Sequence, residues 1–287
     1  MSGVAGVPGE PGSSVVAAAV STVLAGQGDQ PDDADLERRF GGLRRLYGDA
    51  GYRRLRAARV AVVGLGGVGS WTVEALARCG VRRLVLVDLD QVSESNINRQ
   101  VQALGSTAGL AKAVALQRRI ADIHPGCEVR VVEEFASADN WPGLLGSGDD
   151  AAVDAVVDAC DQSHAKLALA RWALGCGATL VVAGAAGGKR EPQRVEVADL
   201  AEASHDPLLA SLRQRLRREG APRQGRIGLR CVFSRESVAA PPDANCTVDG
   251  SLNCHGYGST VTVTATFGMV AAAEVLRRVT AGPGAAG

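Results

Sequence analysis

The sequence predicts an α/β protein: a mainly parallel sheet with crossover helices on both faces. Three observations carry that class. Short β-branched runs alternate with helical patterns from Arg59 to about Gly184. A glycine-rich turn comes directly after the first of those runs. And 287 residues, 46% of them hydrophobic, are enough to bury a full core.

Strands are expected at Val60–Val63, Leu84–Val87, Val129–Val132, Val153–Val157 and Leu180–Val182. Helices are expected between several of them, at Ser70–Cys79, Leu110–Ile123 and His164–Leu174. Ahead of the first strand, Leu36–Ala58 reads as a helix or helix–turn–helix, punctuated by Arg-Phe-Gly-Gly and Tyr-Gly. After Gly188 the pattern changes to a strand at Arg194–Val197, a helix at Pro207–Arg218 and a strand at Arg226–Ser234. A loop rich in Pro, Asp and Gly then leads to a last helix near Thr264–Val279. The expected organisation is a disordered tail at 1–34, a helical arm at 35–58 and a nucleotide-binding core at 59–188. A smaller C-terminal α+β extension that binds substrate comes next at 189–280, with a short tail at 281–287.

Aromatic residues make up only 3%, so the core must be built from Ala, Val and Leu. Zero formal net charge advertises no global field for nucleic acid. The seven cysteines form no C-x-x-C pair, and their odd number suits reduced thiols in a cytoplasmic protein. No basic start precedes the apolar run Val15–Leu24, which argues against a signal peptide. The uncharged run Gly250–Ala273 is broken by glycines, and its apolar part is too short for an integral membrane span.

The stretch RVAVVGLGGVGSWTVEALARCGVRRLVLVDLD (59–90) carries the first functional signal. Gly64, Gly66 and Gly69 form G-x-G-x-x-G, with Gly67 inside it, and Asp88 lies 24 residues after Gly64. The first glycine allows the tight turn, the second lets phosphate approach the backbone, and the third lets the helix pack on the sheet. Phosphate then meets the free N–H groups of a helix N-terminus, and the acid accepts from ribose hydroxyls. The core is thus expected to be Rossmann-like, but the turn alone does not separate NAD from ATP.

The residues after the acid make that choice. Asp88-Leu-Asp90 leads to Asn96-Ile-Asn98-Arg99-Gln and then to Gly109-Leu-Ala-Lys112. A redox cofactor has no general need of these groups. A polyphosphate attacked at its α-phosphorus does, because charge grows on the departing pyrophosphate and cations there stabilise it. Downstream, Asp158 and Asp161 are expected at the carboxyl edge of the fourth strand. Asp161 either holds the Mg²⁺ that accompanies ATP or caps the helix that begins near Ser163.

Taken in order, G-x-G-G-V-G-S, D-x-D, N-x-N-R-Q, G-x-x-K and D-x-x-D resemble the ubiquitin-activating-enzyme-like adenylating superfamily. Arg39-Phe-Gly-Gly, Leu-Tyr47-Gly, Asp206-Pro-Leu, Cys231-Val-Phe-Ser and Thr262-Val-Thr-Ala-Thr-Phe-Gly268 resemble its tRNA threonylcarbamoyladenosine dehydratase branch, from Arg38 to Arg278. That resemblance implies an ATP- and Mg²⁺-dependent enzyme that cyclises the threonylcarbamoyl group on adenosine 37 of tRNA by adenylating its carboxylate. It implies Asp88 and Asn96 at the ribose, Asp90 beside them, Arg99 and Lys112 at the phosphates, and Asp161 on the metal. It also implies a homodimer whose second subunit supplies an N-terminal arginine, Arg39 first and Arg38 next. Cys254 lies where relatives carry a cysteine. It is either a thiol that accepts sulfur from a cysteine desulfurase or sulfur-acceptor partner, or a structural thiol.

A neutral protein that binds tRNA needs a local cationic patch. From Arg213 to Arg230 there are seven Arg and one acid in 18 residues, and Arg213, Arg215, Arg217, Arg218, Arg223 and Arg226 are the expected contacts. The plain alternative is a solvated helix face. For the whole chain, the alternatives are an enzyme that adenylates the C-terminal glycine of a small sulfur-carrier or modifier protein, and an NAD-dependent oxidoreductase.

Overall fold

The computed structural model describes residues 33–239 and 257–282. Two helices, α1 (Asp33–Phe40) and α2 (Gly42–Ala57), precede the sheet. Gly48 leaves helical geometry inside α2 at φ 68°, where the Tyr-Gly punctuation falls. Then come β1 (Arg59–Val63), α3 (Gly69–Arg78), β2 (Arg83–Val87), α4 (Lys112–Ile123) and β3 (Glu128–Val132). After these lie β4 (Ala155–Asp158), α5 (Ser163–Cys176), β5 (Leu180–Ala183) and β6 (Val195–Asp199). The last elements are α6 (Pro207–Arg218), β7 (Arg230–Ser234) and α7 (Val261–Ala281).

One seven-stranded sheet runs in the order β3-β2-β1-β4-β5-β7-β6. All neighbours pair in parallel except β6, which runs antiparallel to β7. The extension after Gly188 therefore adds strands to the core's own sheet. Parallel strands covered on both faces must be apolar on both, and alternate residues of β1 do go to opposite sides. Val60 and Val62 join the layer of α2, α3, α4 and α7, while Ala61 and Val63 join the layer of α5 and α6.

Two features of this topology position the site. Strand order reverses between β1 and β4, the switch point at whose carboxyl edge open α/β folds bind ligands. And α7 lies directly on α3. A Cβ at Gly268 would come within 2.5 Å of the Val68 carbonyl and 2.7 Å of Trp71 Cβ, so only glycine permits this approach. The Thr72 hydroxyl donates to the Gly268 carbonyl at 3.2 Å across the contact.

Candidate nucleotide site

Gly64 and Gly69 show in this structure the tight turn and the close helix start that their spacing predicts. Gly64 turns at φ 86°, and a Cβ there would strike the Cys160 backbone at 2.7 Å. A Cβ on Gly69 would lie 1.7 Å from the Gly64 carbonyl, so the helix starts as close to the turn as glycine allows. Gly66 is open: a Cβ there would come no nearer than 3.9 Å to Gln100 Nε2. No side chain caps α3 and no acid sits in its first turn, which leaves the N-terminus available to an anion.

Asp88 comes just after β2 and is buried. Its Oδ2 accepts from Leu65 N–H at 2.6 Å and its Oδ1 from Asp90 N–H at 2.8 Å. Each oxygen keeps a second lone pair for a hydroxyl donor. Burial raises the Asp88 pKa, and nearby Lys112 and the two backbone donors oppose that. Lys112, at the start of α4, places Nζ 2.7 Å from Asp90 Oδ2 while its own N–H donates to the Asp90 carbonyl at 3.0 Å.

Asn96 closes a capping box: its Oδ1 accepts from Ser93 N–H at 3.0 Å, and its carbonyl accepts from Arg99 and Gln100 N–H. It thus sets the shape of the loop that carries Arg99. The Arg99 guanidinium donates through one terminal nitrogen to the Ser95 carbonyl and to Asn98 Oδ1, both at 2.8 Å, while its Nε is buried with no partner. Gln102, absent from the sequence expectations, donates to the Leu65 carbonyl at 2.9 Å and to Gln100 Oε1 at 3.1 Å, bracing the turn from beneath. The N-R-Q-x-Q spacing is the signal that could have found it.

Asp158 corrects an expectation. It does not project from the edge of the sheet. It is fully buried and pairs with the equally buried Lys166 at 3.0 Å. Burial pulls the Lys166 ammonium down, yet the Asp158 charge and its neighbours outweigh that and hold its pKa above the usual lysine range. Asp161 is exposed and makes no hydrogen bond or ion pair among the described residues. The N-cap of α5 is Gln162, with no side-chain cap, so the capping alternative for Asp161 is not what this fold uses.

Arg39 is not brought to the turn. Its Nε pairs with Asp35 at 2.8 Å and a terminal nitrogen donates to the Ile123 carbonyl at 3.2 Å. Since α4 begins at Lys112 and ends at Ile123, Arg39 sits at the opposite edge of its own sheet. The arginine cluster also splits. Arg213, Arg217, Arg218 and Arg223, with Ala210 and Gln214, line a surface cavity of about 430 Å³ on α6. Arg215 and Arg226 do not line it. Arg213 is further tied to the Leu200 and Ala203 carbonyls, so only part of its charge faces outward. Cys254 and Cys246 lie outside the described residues.

ATP fits what is present: an open Gly66, an uncapped helix N-terminus, a buried acid with free lone pairs, and an Arg99 Nε left without a partner. No group of three or more His, Cys, Asp and Glu side chains gathers to hold a metal among the described residues. A lone carboxylate such as Asp161 would suit a metal held mainly by phosphates. Among the described residues no helix is long and apolar enough to cross a membrane.

A glycine turn at the switch point of a parallel sheet, with an acid after the second strand and cations on the next loop and helix, defines a nucleotide-binding adenylation fold. The pattern of the ThiF family matches residues 39–285. The chain belongs to that family, among its tRNA threonylcarbamoyladenosine dehydratases. It is 40% identical over 256 residues to the tRNA threonylcarbamoyladenosine dehydratase of Escherichia coli K12, covering 85% of this chain and 94% of that one. It is 36% identical over 247 residues to the Haemophilus influenzae dehydratase, covering 84% and 93%. The crystal structure of the Escherichia coli dehydratase in complex with ATP superposes with a TM-score of 0.78 at 39% identity, covering 87% of this chain and 96% of that one.

Proposed function

We propose that this chain uses ATP to cyclise N6-threonylcarbamoyladenosine at position 37 of tRNA, through adenylation of the threonyl carboxylate. The observation that carries the reading is the glycine turn, Asp88, Asn96, Arg99 and Lys112 gathered at one sheet edge, in a chain that aligns along most of its length with dehydratases of that name.

The chemistry suits these groups. A carboxylate oxygen attacks the α-phosphorus, the bond to pyrophosphate breaks, and Arg99 and Lys112 stabilise the charge that leaves. An atom of the neighbouring carbamoyl group then attacks the activated acyl carbon and expels AMP. AMP carries away the carboxylate oxygen, so the net change in the nucleoside is loss of water. Both reacting groups belong to one substrate, so proximity supplies much of the rate and no enzyme nucleophile is required. On this reading Asp161 holds Mg²⁺, which supplies charge neutralisation at the phosphates.

The substrate's phosphate backbone is assigned to the α6 cavity. Asp206, the N-cap of α6, also accepts from Ala185 N–H at 2.8 Å, so α6 starts at the carboxyl edge beside β5. From Arg213 to Arg218 the arginines then descend the helix over roughly 8 Å at 1.5 Å per residue, the scale of one or two backbone phosphates. The working unit is a cytoplasmic homodimer in which Arg39 serves the partner's site. Its position far from its own turn supports that, as do the exposed apolar side chains Leu89, Ile97 and Leu104.

The test is mass spectrometry of nucleosides from threonylcarbamoyl-modified tRNA incubated with the protein and ATP. A loss of 18 mass units from the modified adenosine, dependent on ATP, is the expected result (one water, by mass alone). ATP–pyrophosphate exchange that requires a Gly-Gly-ended small protein instead would overturn it.

A further inference from the structure

Arg99 is held from behind by two helices. Its carbonyl accepts from the Trp71 indole N–H at 2.9 Å, and the Thr264 hydroxyl, whose one proton it shares with the Thr260 carbonyl at 3.3 Å, lies 3.4 Å away. Trp71 lies in the first turn of α3, and buried Thr264 in the first turn of α7. The neighbouring Asn98 donates to the Ser259 carbonyl at 2.9 Å, just ahead of α7. A Cβ at Gly67 would lie 3.0 Å from Thr264 Cγ2 and 3.3 Å from Arg99 Cγ, so the arginine stem and this threonine press together against the glycine turn.

We propose that Trp71 and Thr264 are positioning residues for adenylation: they clamp the Arg99 backbone so that its side chain is fixed beside the glycine turn. The proposal rests on the reading that Arg99 serves the phosphates. Clamping a carbonyl adds no charge to the site. It fixes where the cation stands when charge develops, and a preorganised cation acts on the transition state more than on bound ATP. Trp71 has a single N–H to give, and Trp71→Phe removes that donor together with part of the indole, so the comparison in an Arg99→Ala background is what isolates the clamp.

The experiment measures the single-turnover rate of AMP formation with threonylcarbamoyl-modified tRNA at saturating ATP, together with ATP affinity, in the full chain. Trp71→Phe should lower the rate about fivefold, the worth of one hydrogen bond, while ATP affinity moves less than about twofold. Thr264→Val should lower it about twofold, and Thr264→Ser should restore it. In an Arg99→Ala background, Trp71→Phe should cause no further loss. The same fivefold loss in that background, or a wild-type rate in Trp71→Phe alone, overturns the clamp. A wild-type rate in Arg99→Ala itself overturns the phosphate assignment beneath it, and so the two failures are told apart.

Discussion

Lys112 Nζ and Asp90 Oδ2 stand 2.7 Å apart, the lysine side chain 8% exposed and the aspartate 53%. The ammonium thus rests against a carboxylate that solvent already screens, and on the proposed reading little is lost when it turns to a phosphate. Lys112→Ala should lower adenylation about a hundredfold, the scale of one lost charge-stabilising donor. Loss of a half-exposed pair costs about 1 kcal/mol or less of stability. Single-turnover kinetics beside urea denaturation separates the two, and equal losses in both would remove Lys112 from the site.

The Asp158–Lys166 pair should behave in the opposite way. Both side chains are fully buried, and Asp158 Oδ2 is already without a partner. Lys166→Met leaves that carboxylate uncompensated and should cost about 3–5 kcal/mol in urea denaturation. Adding Asp158→Asn should recover much of the loss. A single variant as stable as the wild type would show that the pair does not form.

Buried His124 packs edge-on against Phe40 at 4.8 Å. Burial first, and then the charges of Arg56 and Arg39, push its pKa down to about 4 from an ordinary 6.5. Between those values the unfolded chain binds the proton that the folded chain refuses, so stability falls as pH drops through the window. From pH 7 to pH 5 this residue should remove roughly 1–2 kcal/mol. In His124→Gln that slope should flatten, as read by urea midpoints at the two pH values, and an unchanged slope would assign the effect to other groups.

For tRNA, the cavity separates the arginines into two sets. Replacing Arg217, Arg218 and Arg223 by Gln should weaken binding and reduce the salt slope by roughly one unit for each lost phosphate contact. Arg215→Gln with Arg226→Gln should change the slope little, since neither lines the cavity. Salt titrations of wild type and both variants, side by side, decide it. Parallel lines for the first variant would mean that the tRNA docks elsewhere.

These cases show which parts of the fold were legible in sequence. Gly64 and Gly69 could be read because a turn and a close helix start make demands that only glycine meets. The central strands were legible as short apolar runs, since both faces are covered, and the helices because one-sided burial imposes a period. Lys166 was not, because its partner lies eight residues back across a strand–helix junction, and no local pattern marks a tertiary ion pair. Trp71 gives no local sign of its role for the same reason: its acceptor is a backbone carbonyl 28 residues away. The arginine split was available and missed, since 210, 213, 214, 217 and 218 share one helical stripe and 215 does not.

The contact between Gly268 and the first turn of α3 has a meaning in time. Thr72 finds its acceptor 196 residues further along the chain, and Arg99 leans on Thr264 at a separation of 165. During synthesis the glycine turn leaves the ribosome well before the helix that seats Arg99. A chain halted before α7 can pair its first strands and still lack the surface on which that cation is set. On the proposed reading, the seat of Arg99 is thus completed only after the turn it faces has been made.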